Sequence, residues 1–339
     1  QSLHGPDVPL TENLASLQYL DSAAGVFDQQ NHPWLYNLGM YDGSVDEAAK
    51  SAYLRTLQTV LAPALGNEVA SWLAGYNSPD YQENFDALKA YLMLGNRERR
   101  KDEWLLEWLA DPPITNLQLE QQEAVVQHMG ALLEQDPEYQ LPVTDEVTIK
   151  RTRNLLSQVS PSEAVYSRIK SMYAGEITDL RPELGPYFSS VFEARDENGL
   201  TVPSLYTVGG YQTINFGMNS EAMMTWLEDR WVLGQEGIPT PAELTGVVDG
   251  VKRMYGSDYI AAWRSVMADI DLLVPSDTAG LSDTMGHLAE PALSPMSALL
   301  KLVTEETSLP EKSVVNEAAV AAATDIAKRK TGKLGRAVD

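Results

Sequence analysis

The sequence contains no cysteine, which removes disulfides, thiolate metal sites and cysteine nucleophiles in one step. Basic residues are scarce: 25 Lys and Arg stand against 48 Asp and Glu, a formal net charge of −23. A surface of that sign repels phosphate backbones and anionic headgroups, so nucleic acid is not an expected partner. The four histidines, His4, His32, His128 and His287, stand far apart. There is no H-E-x-x-H and no Cys/His set to cage zinc, so no metal site is expected. No run of 18 apolar residues occurs, so no segment of this chain is expected to span a bilayer. The chain opens at Gln1 without a signal-peptide pattern and reads as an excised or processed piece, with any membrane anchor expected outside it.

What is present is a long, patterned, globular chain. Its 339 residues suffice for two domains, and a chain of that size buries ~75% of its unfolded surface without staples. With 44% hydrophobic and 22% charged residues, disorder over most of the length is excluded. Leu10, Leu14, Leu17, Ala24 and Phe27 recur at helical spacing behind Thr11 as N-cap. Ser44–Glu47 has capping-box spacing and opens a second helix through Tyr53, Leu57 and Leu61; Pro63 and Gly66 predict a kink in it. Further helices are expected after Ser78-Pro79, around Trp104–Leu109, and through Val125–Leu133. Pro137 and Pro142 mark a candidate boundary. Helical pattern resumes at 144–158 and 161–174, then at 220–233, 241–255, 257–271, 278–289, 295–306 and 312–330. Between these, short runs at 188–194 and 200–206 flank Arg195-Asp196-Glu197-Asn198-Gly199, a turn signal for a hairpin. The fold class is therefore mainly α: a multi-helix, bundle-like array in two subdomains with one small β-hairpin near 188–206. The expected domains are an N-terminal helical subdomain at 1–142, a second helical subdomain carrying the hairpin at 143–310, and a C-terminal helix with a basic tail at 311–339. That tail holds Lys328, Arg329, Lys330, Lys333 and Arg336, and reads either as a solvated end or as a contact for an acidic neighbour.

Chemistry-bearing motifs are few. His128 lies beside an apolar helical stripe and reads as a half-buried structural residue rather than a general base, because no nucleophile or orienting group is near it in sequence. Gly209-Gly210 lacks G-x-G-x-x-G spacing, and Thr331-Gly332-Lys333-Leu334 lacks the upstream glycine and the hydroxyl residue of a phosphate loop. Asp196, Asn198 and Gly199 echo a calcium loop without its twelfth-position glutamate, and a turn explains them better. Among 48 acids, Asp269 with Asp271 and Glu120 with Glu123 are candidate pairs; the first diverges on a helix and the second occupies a solvated face. Trp226 and Trp231, five apart, share one helix face only if the helix ends between them. The aromatic residues read first as core and second as anchors for a protein contact. No catalytic, cofactor-binding or metal-ligating residue is assigned.

Several strings resemble one family in order along the chain. Leu88-Lys89-Ala90-Tyr91-Leu92-Met93-Leu94 resembles the tyrosine-centred helix of the IcmF/TssM family, the large inner-membrane protein of type VI secretion, and His128 ahead of Leu132-Leu133 is similar to a family histidine. Val202-Pro203-Ser204-Leu205-Tyr206-Thr207 before Gly209-Gly210-Tyr211 resembles its proline–tyrosine–threonine–glycine segment, with Val208 where a basic residue often stands. Trp231-Val232-Leu233-Gly234 is similar to a further family string. Tyr255, Tyr259 and Trp263, then Leu293-Ser294-Pro295-Met296 with Leu299-Leu300, complete a colinear match over about 11–309. The resemblance implies a helical, periplasmic region of a protein anchored in the bacterial inner membrane. It implies a structural scaffold in the trans-envelope complex, not an enzyme. It also implies partners among the complex subunits: a TssJ-like lipoprotein, a TssL-like inner-membrane protein, and self-association of the full-length protein. The β-rich lipoprotein-docking domain of the family usually follows this region, and no strand-rich tail is read here. Two other readings stay open on the residues alone: an acidic helical hydrolase of envelope glycans, and a soluble protein-binding module.

Overall fold

A computed structural model describes Leu10, Leu14 and Leu17 and residues 44–309, apart from 77, 112–116, 143–144, 197–198, 275–276 and 291–292. The fold is mainly α, with two small two-stranded antiparallel sheets among the described residues. The chain divides into two compact units. One holds the described residues up to Gln158 together with Trp231–Gln235; the other holds Val159–Arg230 and the described residues from Glu236 onward. The expected helix and basic tail beyond 311 lie outside the described residues, as does the Thr11 cap.

Among the described residues, the regular elements of the first unit are all helices. Helix α1 (Ser44–Thr56) runs through a π-turn at Leu57–Leu61 into α2 (Ala62–Gly75). The kink expected at Pro63 takes this form. Proline lacks the N–H that would bond the Thr59 carbonyl, and Ala62 N–H reaches back five residues to Leu57 instead. Helix α3 (Tyr81–Leu94), capped by the Asp80 side chain on the Gln82 and Glu83 amides, is buried on nearly every face. Around it pack α2, α4 (Asp102–Ala110) and α6 (Glu146–Leu156), and α4 packs in turn on α5 (Leu119–Gln135).

The segment expected to separate the domains is stitched into this first unit. Buried Arg100 donates Nη2 to the Pro137 carbonyl at 2.7 Å and Nη1 to the Tyr139 carbonyl. Gln58 donates to Asp136 at 2.7 Å, and Leu141 N–H bonds the Leu94 carbonyl at 2.8 Å. Gly66 is needed here, because a Cβ on it would lie 2.3 Å from Leu141 Cδ2. Helix α6 buries Ile149 and Leu156 in the same core, so the division falls after Gln158 and not at 142.

The second unit is built on α7 (Pro161–Met172) against α10 (Pro241–Asp269). Both start with a hydroxyl cap followed by proline: Ser160 accepts from Glu163 N–H, and Thr240 forms a capping box with Glu243. Helix α10 is one 29-residue helix where the sequence pattern breaks at Gly256. Interior glycine costs ~1 kcal/mol, while Tyr255, Tyr259 and Trp263 at i, i+4 and i+8 bury one continuous face, and that burial wins. The remaining helices are α8 (Val208–Thr213), α9 (Glu221–Asp229), α11 (Thr278–Ala289) and α12 (Pro295–Thr307).

The expected hairpin does not form. Its turn does: Gly199 N–H bonds the Asp196 carbonyl at 2.9 Å. The flanking strands then find other partners. β2 (Phe192–Ala194) pairs with β4 (Ile270–Leu272), and β3 (Thr201–Pro203) pairs with β1 (Ile177–Asp179). The turn follows from its local residues, but burial of Phe192 and Val202 and the charged clasp described below draw the strands apart.

Two predictions follow from close approaches. A Cβ on Gly250 would sit 2.1 Å from Ser162 Oγ, so Gly250→Leu wedges α10 from α7 and lowers stability by about 1–3 kcal/mol in urea unfolding. Arg153 Nε donates to the Val232 carbonyl at 2.7 Å, and Val232 is fully buried in the first core. Arg153→Ala is expected to cost about 1.5–3 kcal/mol, read as a lowered urea midpoint.

Candidate functional site

The densest polar arrangement is a knot inside the second unit. Helix α7 supplies Tyr166, a 3-10 turn at Ser204–Tyr206 supplies Tyr206, and α10 supplies Asp258. Tyr166 OH donates to Asp258 Oδ2 at 2.8 Å and lies 3.0 Å from Tyr206 OH, which also reaches Asp258 at 3.4 Å. Tyr255 OH donates to the Leu205 carbonyl at 2.8 Å, and Trp263 Nε1 to the Tyr206 carbonyl at 2.8 Å. Tyr259 OH donates to the Glu306 carbonyl at 2.5 Å, while the Glu306 carboxylate accepts from Val208 N–H at 2.7 Å. One face of α10 thus holds the 3-10 turn by its carbonyls and α12 by its last turn. Gly210 is required beside that turn, because a Cβ there would meet the Ser204 carbonyl oxygen at 2.1 Å.

Burial pushes the phenols of Tyr166, Tyr255 and Tyr259 well above the ordinary tyrosine range and raises that of Tyr206, against which the Tyr166 hydrogen bond works. The Asp258 carboxylate adds to this at Tyr166 and Tyr206, neighbouring phenols add to it at Tyr255, and Glu306 does so at Tyr259.

The acids singled out from sequence fall into two groups. Glu120 and Glu123 lie exposed on α5. Asp269, Asp271, Asp196 and Gly199 come together where α10 enters β4. Arg195 grips Asp271 through two bonds, the longer 2.7 Å, and holds its carboxyl below the ordinary range. Asp269 accepts from Asp196 N–H at 3.3 Å, and Gly199 packs against the same carboxylate so closely that a Cβ would overlap it. A shallow cleft of about 500 Å³ adjoins them. The arrangement is a clasp: Asp271 is neutralised by a cation and Asp269 is tied to the loop backbone, which suits neither a general acid nor a nucleophile. No group of three His, Asp or Glu able to hold a metal ion occurs among the described residues.

The histidines divide likewise. His4 and His32 lie outside the described residues. His128 is fully buried, its Nδ1 2.8 Å from Tyr53 OH. His287 stacks on Tyr187 with its Nδ1 2.9 Å from Ser190 Oγ. Ser190 gives its only proton to the Tyr187 carbonyl at 2.8 Å, so His287 donates to the serine and does not activate it. Trp226 and Trp231 part company: α9 ends at Asp229, Trp226 packs on the second core beneath Arg230, and Trp231 packs on the first beneath Arg99.

Sequence reading missed Asp258, Lys89 and Arg153. Asp258 interrupts an aromatic stripe between Tyr255 and Tyr259, which was the available signal. Lys89 is 1% exposed inside α3 with Nζ 4.0 Å from the Trp104 ring centre, a cation–π contact that periodicity alone does not reveal.

These features define a mainly α protein of two units in which several ionisable and aromatic side chains tie secondary-structure elements together. The chain belongs to the IcmF-related family (intracellular multiplication and human macrophage-killing), whose profile matches residues 12–308. It is 28% identical over 303 residues to the type VI secretion system component TssM1 of Pseudomonas aeruginosa strain PAO1, a match covering 86% of this chain and 27% of that protein. The chain therefore spans about a quarter of that relative's length. No solved structure matches. The family-like strings fall on the structural ties: α3, the Ser204–Tyr206 turn, Trp231–Gly234, and Tyr255–Trp263.

The raised phenols carry a sign. Below about pH 10 tyrosines are protonated in both native and unfolded chains, and the buried knot contributes fully. Above it the unfolded chain loses protons that the native one keeps, so stability falls as pH rises. Urea midpoints at pH 8 and pH 11 are expected to show that fall, and Tyr166→Phe to make it shallower.

Proposed function

We propose that this chain is a structural scaffold region of a type VI secretion envelope complex, not an enzyme. The observation that carries the reading is the colinear family match over 12–308, together with identity to a type VI secretion system component. The placement of the charged groups supports it: Arg100, Arg153, Arg195, Asp258 and Glu306 bind backbone carbonyls, amides or neighbouring elements rather than lining a deep cleft. Each unit, tied in this way within itself, suits a scaffold role. The partners proposed for the whole protein are the other membrane-complex subunits, a TssJ-like lipoprotein, a TssL-like inner-membrane protein and further copies of itself. No helix among the described residues is long and apolar enough to cross a membrane. We place the region in the periplasm, held there by an inner-membrane anchor elsewhere in the full-length protein.

The absence of cysteine makes location measurable. Val274 is 82% exposed, so Val274→Cys in the full-length protein offers an accessible thiol in a region without any other. A membrane-impermeant maleimide is expected to label it once the outer membrane alone is permeabilised. Labelling that appears only after inner-membrane lysis overturns the periplasmic assignment. Release of fragments from purified envelope glycan by the isolated chain, abolished by Asp269→Asn, would overturn the scaffold reading.

A further inference from the structure

The first unit is completed by a short segment that its own stretch of chain does not supply. Trp231–Gln235 belongs to it, while the residues on either side, Val159–Arg230 and those from Glu236 onward, belong to the second unit. This segment is lightly held. Val232 is fully buried, but Trp231 and Leu233 are half-buried and the run from Gly234 to Ile238 is exposed. Among the described residues, one side chain of the first unit hydrogen-bonds it. Arg153 donates Nε to the Val232 carbonyl at 2.7 Å and Nη2 to the Trp231 carbonyl at 3.5 Å, the outer limit of a useful bond. Arg99 adds a ring contact, its guanidinium carbon 5.6 Å from the Trp231 ring centre. Gly234 N–H turns back on the Trp231 carbonyl at 2.9 Å, so that bond stays inside the segment.

The core helices of the same unit are held differently. On α3, Phe85, Leu88, Ala90 and Leu94 are buried together, and α2, α4 and α6 pack around that helix. Opening free energies follow such differences: a segment with few buried apolar groups opens locally, while a core helix opens with its whole unit. We propose that Trp231–Gln235 is a releasable strap, which leaves its seat on the first unit and returns to it while both units stay folded. Chain already in solvent eases its exit. Gly234 sits at φ +72°, a conformation that glycine adopts without strain, and a β-carbon on Gly237 would meet nothing within 4 Å. Because the strap stays tethered at both ends, its effective concentration at the seat is high and the seated state remains the major one.

Release uncovers a definite chemistry. The seat is a guanidinium fork aimed at main-chain carbonyls, together with the apolar surroundings of one valine side chain. While the strap is seated, the chain's own backbone occupies that fork. On the scaffold reading, this makes the strap a place where the molecule gives without unfolding. The opening itself does not rest on that reading, so failure of the test below leaves the scaffold role standing.

The absence of cysteine allows a direct test on the full chain. Val232 and Ala90 are both 0% exposed, so a thiol at either position reacts only when its site opens. Below the unfolding transition, Val232→Cys is expected to react with a maleimide at least about 100-fold faster than Ala90→Cys. Its rate is expected to change little as urea is raised, whereas the Ala90→Cys rate climbs, because opening the whole unit exposes far more surface. Equal rates with equal urea dependence would show that the strap leaves only on unfolding, which overturns the proposal. A second measurement needs no substitution. In native-state hydrogen exchange, fragments spanning 230–234 are expected to show at least about tenfold less protection than fragments spanning 85–94, again with a shallower dependence on urea. The same protection and the same dependence in both fragments overturn the proposal too.

Discussion

A half-buried carboxylate beside aromatic rings has little room for water on its inner side, so donors from the protein take over part of its solvation. Asp258 finds them in two phenols, one from α7 and one from the turn before α8. Because those phenols come from different elements, satisfying one acid fixes three pieces of backbone at once. The neighbouring side chains of α10 extend the same logic. Tyr255 and Trp263 hold the turn by its carbonyls, and Tyr259 holds the end of α12. Aromatic residues suit this task, since each supplies a large apolar body and one polar handle.

The first unit solves its polar problem with cations. Arg100 and Arg153 use the guanidinium fork on backbone carbonyls, and Lys89 places its ammonium on a tryptophan face. In a strongly acidic protein, several of the few basic residues are thus spent inside, which leaves the exterior still more negative. An exterior of that sign discourages promiscuous association and leaves recognition to shape and to a few apolar positions.

Much of this was legible in the chain. The helix starts at 161 and 241 agree with the sequence pattern, and the structure supplies their local cause: a Ser160 cap and a Thr240–Glu243 capping box, each followed by proline. The distortion near Pro63 was legible because its cause is local too. The strand partners were not, because β2 with β4 and β1 with β3 are settled by burial and by Arg195 and Asp271, 76 positions apart. Nor was the domain limit: two prolines at 137 and 142 look like a linker, while the arginine that ties that stretch down lies 37 residues earlier. Asp269 and Asp271 stand out in the sequence as near neighbours, whereas the arginine that grips Asp271, Arg195, looks there like one residue of a turn.

The placement of Val232 has a bearing on how the molecule is made and how it diversifies. The first unit keeps Arg153 and its apolar pocket waiting for residues that leave the ribosome some 70 positions later. Until they arrive, that unit is an unfinished body with an open seam. A gene fragment that stops at the end of α6 therefore encodes an incomplete core. Replacing residues up to 158 alone changes the seat of Trp231–Gly234, so a chimera made that way must supply a matching seat.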